Sequence, residues 1–359
     1  MPPALIEVRP GLFDQAVVGT LGMPVATAEH AVVYRAADDS PKYAHHAQIA
    51  WFNDHLYAMW SAEPRDEDAA GQHVVYSRSA DGLHWSPPAV LAEDPDGPDG
   101  PLRRTAGGWW VQGETLTGFF STFAGYGATK WSARMSLEAR RSRDGSTWGP
   151  VEPLVDGFLI NEPPRALASG RLLMTGEDSN GKSRLLSTDD PSALAGWSDG
   201  DVPSLRAPKQ PNEPTWIPRP DGSVLMLFRD DNRSRHLFAA RSTDGGATWS
   251  SPERTVVPDA TAKARGGSLP DGSVFLISNP SQRFGRIPLA ISLSADGVTF
   301  ARAFAVRWEA TARRYEGLHK QPGYQYPGAA VWHEHLYVIY SINKEDVAVT
   351  RIPLAALQE

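Results

Sequence analysis

Apolar residues along this chain come in short runs rather than helical stripes. Gln48-Ile49-Ala50-Trp51-Phe52 and Leu56-Tyr57-Ala58-Met59-Trp60 flank the turn pair Asn53-Asp54, and Val74-Val75-Tyr76 follows after a charged interval. Runs of the same kind return in Leu172-Leu173-Met174, Val224-Leu225-Met226-Leu227, Val274-Phe275-Leu276-Ile277 and Leu336-Tyr337-Val338-Ile339-Tyr340. Turn pairs such as Asp221-Gly222 and Asp271-Gly272 precede several of them. Such runs between turn residues predict β-strands, and no amphipathic segment of helical length interrupts them. Leu354 to Leu357 reads as a final turn.

A repeated turn orders these strands. Ser242-Thr243-Asp244-Gly245-Gly246-Ala247-Thr248-Trp249 has the chemistry of a tight turn followed by a large apolar anchor. Copies stand at Ser79-Ala80-Asp81-Gly82-Leu83-His84-Trp85, at Ser142 to Trp148, and at Ser294 to Phe300, which ends in Phe. Ser187-Thr188-Asp189 with Trp197 reads as a copy carrying an insertion. The aspartates 81, 144, 189, 244 and 296 are spaced by 63, 45, 55 and 52 residues, the period of a repeated sheet. A sixth unit begins near Tyr324 and ends after Val347-Ala348-Val349 with no such turn. We therefore expect one all-β domain over residues 1–359, a β-propeller of six blades rather than seven. A strand from about residues 28–36 should complete the last blade.

Composition narrows the partners. Net charge is −7 with no basic block, which argues against nucleic acid and anionic membrane surfaces. No run of 18 apolar residues suggests a membrane span, and no signal peptide is visible at Met1-Pro2-Pro3-Ala4-Leu5. The absence of Cys excludes disulfides, zinc–thiolate sites and a Cys nucleophile. A cytoplasmic location is favoured, and a processed secreted form fits the same composition.

In a propeller the innermost strands start at one mouth of a central channel. The clusters that open the units should converge there: His45-His46, Arg103-Arg104, Asn161-Glu162, Asn212-Glu213, Lys263 with Arg265, and Tyr324 with Tyr326. Loops after the second strands return to this mouth and bring Arg65-Asp66-Glu67-Asp68, Arg229-Asp230-Asp231 and Asn279 to Arg286. Against this, single Arg and Glu residues in repeats often form blade-to-blade ion pairs. The repeated aspartates have a local structural job. Trp109, Trp110 and Trp131 are candidates for stacking on sugar rings, although Trp in propellers more often fills blade core.

The repeated turn is the Asp-box, and with it the chain resembles the sialidase (neuraminidase) superfamily over nearly its whole length. The intervening residues extend the resemblance. An acidic loop after the first blade's strands matches Asp68, with Asp66 next, to the acid/base aspartate. Glu213, then a strand ending in Arg229, matches a glutamate followed by a carboxylate-binding arginine. Arg286 resembles another arginine of that triad, and Tyr326 resembles the nucleophilic tyrosine that opens the last blade. The chain departs where the first triad arginine is expected: Tyr43-Ala44-His45-His46-Ala47 places His45 there. A His pair facing Arg is similar to propeller enzymes that act on uronic-acid glycans.

The resemblance implies an exo-acting glycoside hydrolase. Glu213 would take the Tyr326 proton, Asp68 would protonate the leaving oxygen, and Arg229 with Arg286 would clamp an acidic oligosaccharide's carboxylate. Arg65, Arg104, Glu162 and Tyr324 are further expected substrate contacts. The alternative is a lyase on a uronate, with His45 or His46 as base and Tyr326 or Tyr324 as acid. A non-catalytic glycan-binding propeller is the third reading. No cofactor is expected, and no metal, because adjacent His residues on a strand point to opposite faces and no third ligand follows at a recognisable spacing.

Overall fold

The computed structural model describes residues 4–358 apart from 99, 125, 128, 129, 132–134, 208 and 284. Six four-stranded antiparallel sheets are arranged as a propeller. The innermost strands of blades 1 to 6 are Tyr43–Phe52, Arg103–Gln112, Leu159–Ala166, Asn212–Pro218, Arg265–Ser268 and Tyr324–Trp332. Blade 6 takes its outermost strand from the other end of the chain: Glu29–Tyr34 runs antiparallel to Asp346–Pro353. The last residues, Leu354–Leu357, form a 3-10 turn. Among the described residues no helix is long and apolar enough to cross a membrane.

The core is a ring of clusters, one between each neighbouring pair of blades. Leu116, Trp109 and Phe120 of blade 2 meet Phe52, Tyr57 and Tyr76 of blade 1, for example, and Ile217 and Leu227 of blade 4 meet Leu276 and Ala290 of blade 5. The repeated aromatic residue has its place in this ring. Trp85, Trp148, Trp197, Trp249 and Phe300 each enter the cluster shared with the preceding blade. Trp249 and Phe300 are buried there, each adding about 2–3 kcal/mol of apolar transfer energy, and the half-buried Trp85, Trp148 and Trp197 add less. The repeat therefore ties each blade to its neighbour as well as closing its own turn.

Hydrogen bonds explain the turn's composition. Ser142 Oγ donates to Asp144 Oδ1 (2.9 Å) and accepts from the Gly145 N–H (2.8 Å). Asp144 Oδ1 then accepts the N–H groups of Ser146 and Thr147 (2.8 and 2.7 Å). Gly145 has φ 69°, and a Cβ there would lie 1.9 Å from the Tyr57 hydroxyl of blade 1, so no other residue fits.

The copy in blade 3 corrects the reading of the repeat. Asp190, not Asp189, accepts the N–H groups of Ser192 and Ala195, and Asp190 N–H donates to Thr188 Oγ1. Asp189 pairs with Arg171 on the surface. The insertion moves the capping aspartate by one residue, because the hydroxyl that starts the turn is Thr188 rather than Ser187.

Candidate active site

A cavity of ≈ 490 Å³ opens at the mouth of the channel, lined by residues from every blade but with its charged groups concentrated on blades 1, 4 and 6 and the loops beside them. Its size lies within the usual range of small-molecule sites, about 300–1,000 Å³. Local backbone irregularity aims the side chains. The innermost strands of blades 1, 4 and 6 each break register, between His45 and Gln48, Asn212 and Thr215, and Gln325 and Gly328. The bulged residues His46, Glu213 and Tyr326 have φ of 57°, 48° and 53°, and Asp68 in its loop has φ 62°. A bulge turns a side chain out of the sheet alternation. Left-handed φ at non-glycine residues costs about 1–3 kcal/mol each and clusters where function holds it in place. These residues all line the cavity.

At its centre Tyr326 donates its hydroxyl proton to Glu213 Oε1 over 2.5 Å, and Arg229 Nη1 donates to the same hydroxyl at 2.6 Å. Arg229 Nη1 also lies 2.5 Å from Glu213 Oε2, while its Nη2 donates to Asp231 Oδ2 at 3.2 Å and its Nε lies 2.9 Å from Asp231 Oδ1. Burial pushes the Tyr326 phenol well above its ordinary range, with Arg229 working against it. The guanidinium of Arg286 sits 5.0 Å from the Tyr326 ring centre, and the ammonium groups of Lys263 and Lys344 sit 5.9 Å from it.

The acidic loop of blade 1 supplies two carboxyl groups of opposite character. Glu67 accepts from the Tyr43 hydroxyl (3.0 Å) and pairs with Lys344. Burial opposes its charge, but Lys344 and then His46 hold the group down at about 2. Asp68 is pushed up to about 8 by burial and by the neighbouring Glu67 charge, so it keeps its proton at neutral pH. Glu177, at the end of the second strand of blade 3, is held at about 7 by burial and by Glu213.

The two histidines differ. His46 lines the cavity, with Nδ1 against Ser61 Oγ (3.2 Å) and Nε2 3.6 Å from Glu67. Burial, then nearby cations, lower it to about 3, although Glu67 pulls the other way. His45 is fully buried beneath Tyr326, with ring centres 4.1 Å apart, and its Nδ1 bonds Ser341 Oγ at 2.6 Å. The bulge places both rings on one side, 4.5 Å apart, instead of on opposite faces. It also brings ligand atoms of His45, His46 and Glu67 within 4.8 Å of one another. That is a third partner the spacing argument did not foresee, but Lys344 occupies Glu67 and further cations flank both rings. The charge balance there disfavours a metal ion.

Four expected substrate contacts lie elsewhere. Arg104 donates to Thr122, to the Glu93 carbonyl and to Glu138 over the Phe120 ring, which makes it an internal brace of blades 1 and 2. Glu162 is fully buried between Arg165 (3.0 Å) and Arg265 (3.4 Å), an ion cluster joining blades 3 and 5. Tyr324 points into the blade 5–6 core and bonds Glu309. Arg65 is exposed beside the cavity rather than in it. Trp109 stacks on Trp148 in the core, and Trp110 bonds the Pro191 carbonyl; the Trp131 side chain lies outside the described residues. Lys344 and Glu177 were missed. Both stand where a second strand ends, in Gly176-Glu177-Asp178 and Asn343-Lys344-Glu345-Asp346, so the rule that these loops return to the mouth was the signal that could have found them.

A family model described as a BNR repeat-like domain matches residues 54–338, most of the chain. The chain belongs to that family. No curated protein sequence matches it. Among solved structures this BNR repeat-like propeller is similar to a sialidase, with TM-score 0.74 and 21% identity over 97% of this chain and 35% of that one. It is similar to Trypanosoma rangeli sialidase, with TM-score 0.70 and 13% identity over 92% of this chain and 60% of that one. It is also similar to the intramolecular trans-sialidase from Ruminococcus gnavus, with TM-score 0.66 and 13% identity over 92% and 98% of the two chains. The chain thus spans about a third of the length of the first of these. At such identities the likeness is one of fold, and the fold is that of a sialidase-like six-bladed propeller.

Proposed function

We propose that this protein is a glycoside hydrolase that removes a terminal sugar bearing or adjoining a carboxylate, with Tyr326 as nucleophile. The observation that carries the reading is the hydrogen bond from Tyr326 to Glu213 at 2.5 Å, with Arg229 2.6 Å from the same hydroxyl. Glu213 is placed to take the phenol proton as the Tyr326 oxygen bonds the anomeric carbon. Arg229 stabilises negative charge developing on that oxygen. Asp68, protonated at neutral pH, gives its proton to the leaving oxygen as the glycosidic bond breaks. Water then attacks the glycosyl–tyrosine bond with Asp68 as base, and Glu213 returns the proton to the phenol. A tyrosine suits an anomeric centre that carries a carboxylate, where a carboxylate nucleophile would be repelled.

The substrate carboxylate is best placed against Arg286 and Lys344. Arg229 already has its donors on Asp231, Glu213 and Tyr326. Arg286 is braced by Gln325 and the Thr261 carbonyl with its guanidinium over the Tyr326 ring, and it lines the cavity with Lys344, so these two cations supply the positive charge there. One observation favours the lyase reading: the neutral His46 ring in the cavity. A group held near 3 is a weak base for a carbon acid, so hydrolysis ranks first. Incubation with an aryl α-sialoside and aryl glycuronides, and separately with polymeric uronates, tests both. Release of the aryl alcohol by wild type, lost in Tyr326→Phe, is expected. Appearance of an unsaturated uronate without aryl release would replace hydrolysis by elimination.

A further inference from the structure

Glu177 has no part in the chemistry above, yet it reaches the cavity and touches the backbone of the base. Its Oε1 accepts the Glu213 N–H at 2.9 Å across the gap between blades 3 and 4. The residue so held has left-handed φ and stands in the bulge that aims Glu213 at Tyr326. We propose that Glu177 is a positioning residue for the Tyr326–Glu213 pair: its carboxyl fixes the bulge from which Glu213 reaches the phenol, and it is coupled to the Glu213 charge.

This rests on the reading of Tyr326 and Glu213 as nucleophile and base. An unheld N–H here would leave a buried donor unpaired, and the Glu213 carboxylate would lose its set distance to the phenol. The charge argument stands on what faces the group. Glu213, Arg229 and Asp231 of blade 4 act on it, and Lys263 lies on the side of blade 5. Burial and the Glu213 carboxylate outweigh Arg229, so Glu177 holds its proton up to about pH 7. The sign follows for stability. A carboxyl raised in the folded state from 4.5 to about 7 stabilises the fold fully below the unfolded value, and that contribution is lost as pH rises toward 7.

Two measurements test the proposal on the full chain. In aryl glycoside hydrolysis, Glu177→Ala should lower kcat about a hundredfold with little change in KM, and Glu177→Gln should recover most of it, because its amide oxygen can still accept the Glu213 N–H. Equal losses in both variants, or none in either, would overturn the positioning role. In thermal unfolding from pH 5 to 8, wild type should lose stability relative to Glu177→Gln as pH rises. That difference should shrink in a Glu213→Gln background. Parallel curves would overturn the coupling whatever the activity. Absence of cleavage by wild type would count against the hydrolase reading, and the thermal result would still decide the coupling.

Discussion

Carboxyl groups do opposite work at the two ends of these blades. At the repeated turns Asp144 and Asp244 lie at the surface and accept several hydrogen bonds from their own turn. Those donors stabilise the ionised form, so Asp244 drops to about 2, led by Thr248. At the cavity Asp68 and Glu177 are buried among other carboxylates, and both rise, to about 8 and about 7. Hydrogen bonding to the charged form wins where water and backbone donors are near, and desolvation wins where they are not. The repeated end is therefore built from permanent charges that secure local turns. The unrepeated end sets groups whose proton can move, Asp68 and Glu177, beside fixed charges such as Glu67.

The largest test of this contrast is at Tyr326. Tyr326→Phe should lower kcat on an aryl glycoside substrate by about a thousandfold or more, with the circular dichroism spectrum retained, since only the hydroxyl is removed. A small loss would remove the nucleophile from the cavity. Next, Asp68→Asn should cost about a hundredfold or more for a substrate with a poor leaving group. The wild-type rate should fall above about pH 8 as Asp68 ionises, and the variant should lack that fall. A fall that survives in the variant would assign the proton to another group.

Glu177 stands between these extremes, with a thermal effect that depends on pH. The smallest effect belongs to the turns. Asp244→Ala should remove about 1 kcal/mol, read as a shift of roughly 1–2 °C in Tm, with hydrolysis unchanged. Its pH dependence should run opposite to that of Glu177. A carboxyl lowered in the folded state stabilises above the unfolded value, and that stability is lost as pH falls through about 2. Wild type should accordingly converge on the variant between about pH 4 and 2 in urea unfolding. Convergence at high pH instead would undo the comparison.

Much of the architecture was legible because it repeats. Turn chemistry and strand length act over a few residues, so the spacing of Asp81, Asp144, Asp244 and Asp296 is enough to count blades. The cavity residues could be chosen as far as the units' opening clusters and the loops after their second strands are exposed to the channel. Glu213, Arg229, Tyr326, Asp68, Arg286 and His46 all line it. Arg104, Glu162 and Tyr324 stand in equivalent stretches and turn instead to Glu138, Arg165 and Glu309. Nothing local separates the two outcomes, because the partner lies on another strand or another blade.

What the sequence determined by itself was the sheet-forming pattern, the repeated turns and the stock of charges near the strand starts. These depend on residue type and short spacing. The tertiary structure decided which member of the His45-His46 pair faces the cavity, because a bulge rotates the chain there. It also decided the protonation of Asp68 and Glu177, because burial and neighbouring charge are set by residues such as Glu67, Lys344 and Glu213. Lys344 is 277 positions from the Glu67 it neutralises. Contacts over that distance exist only once the ring has closed.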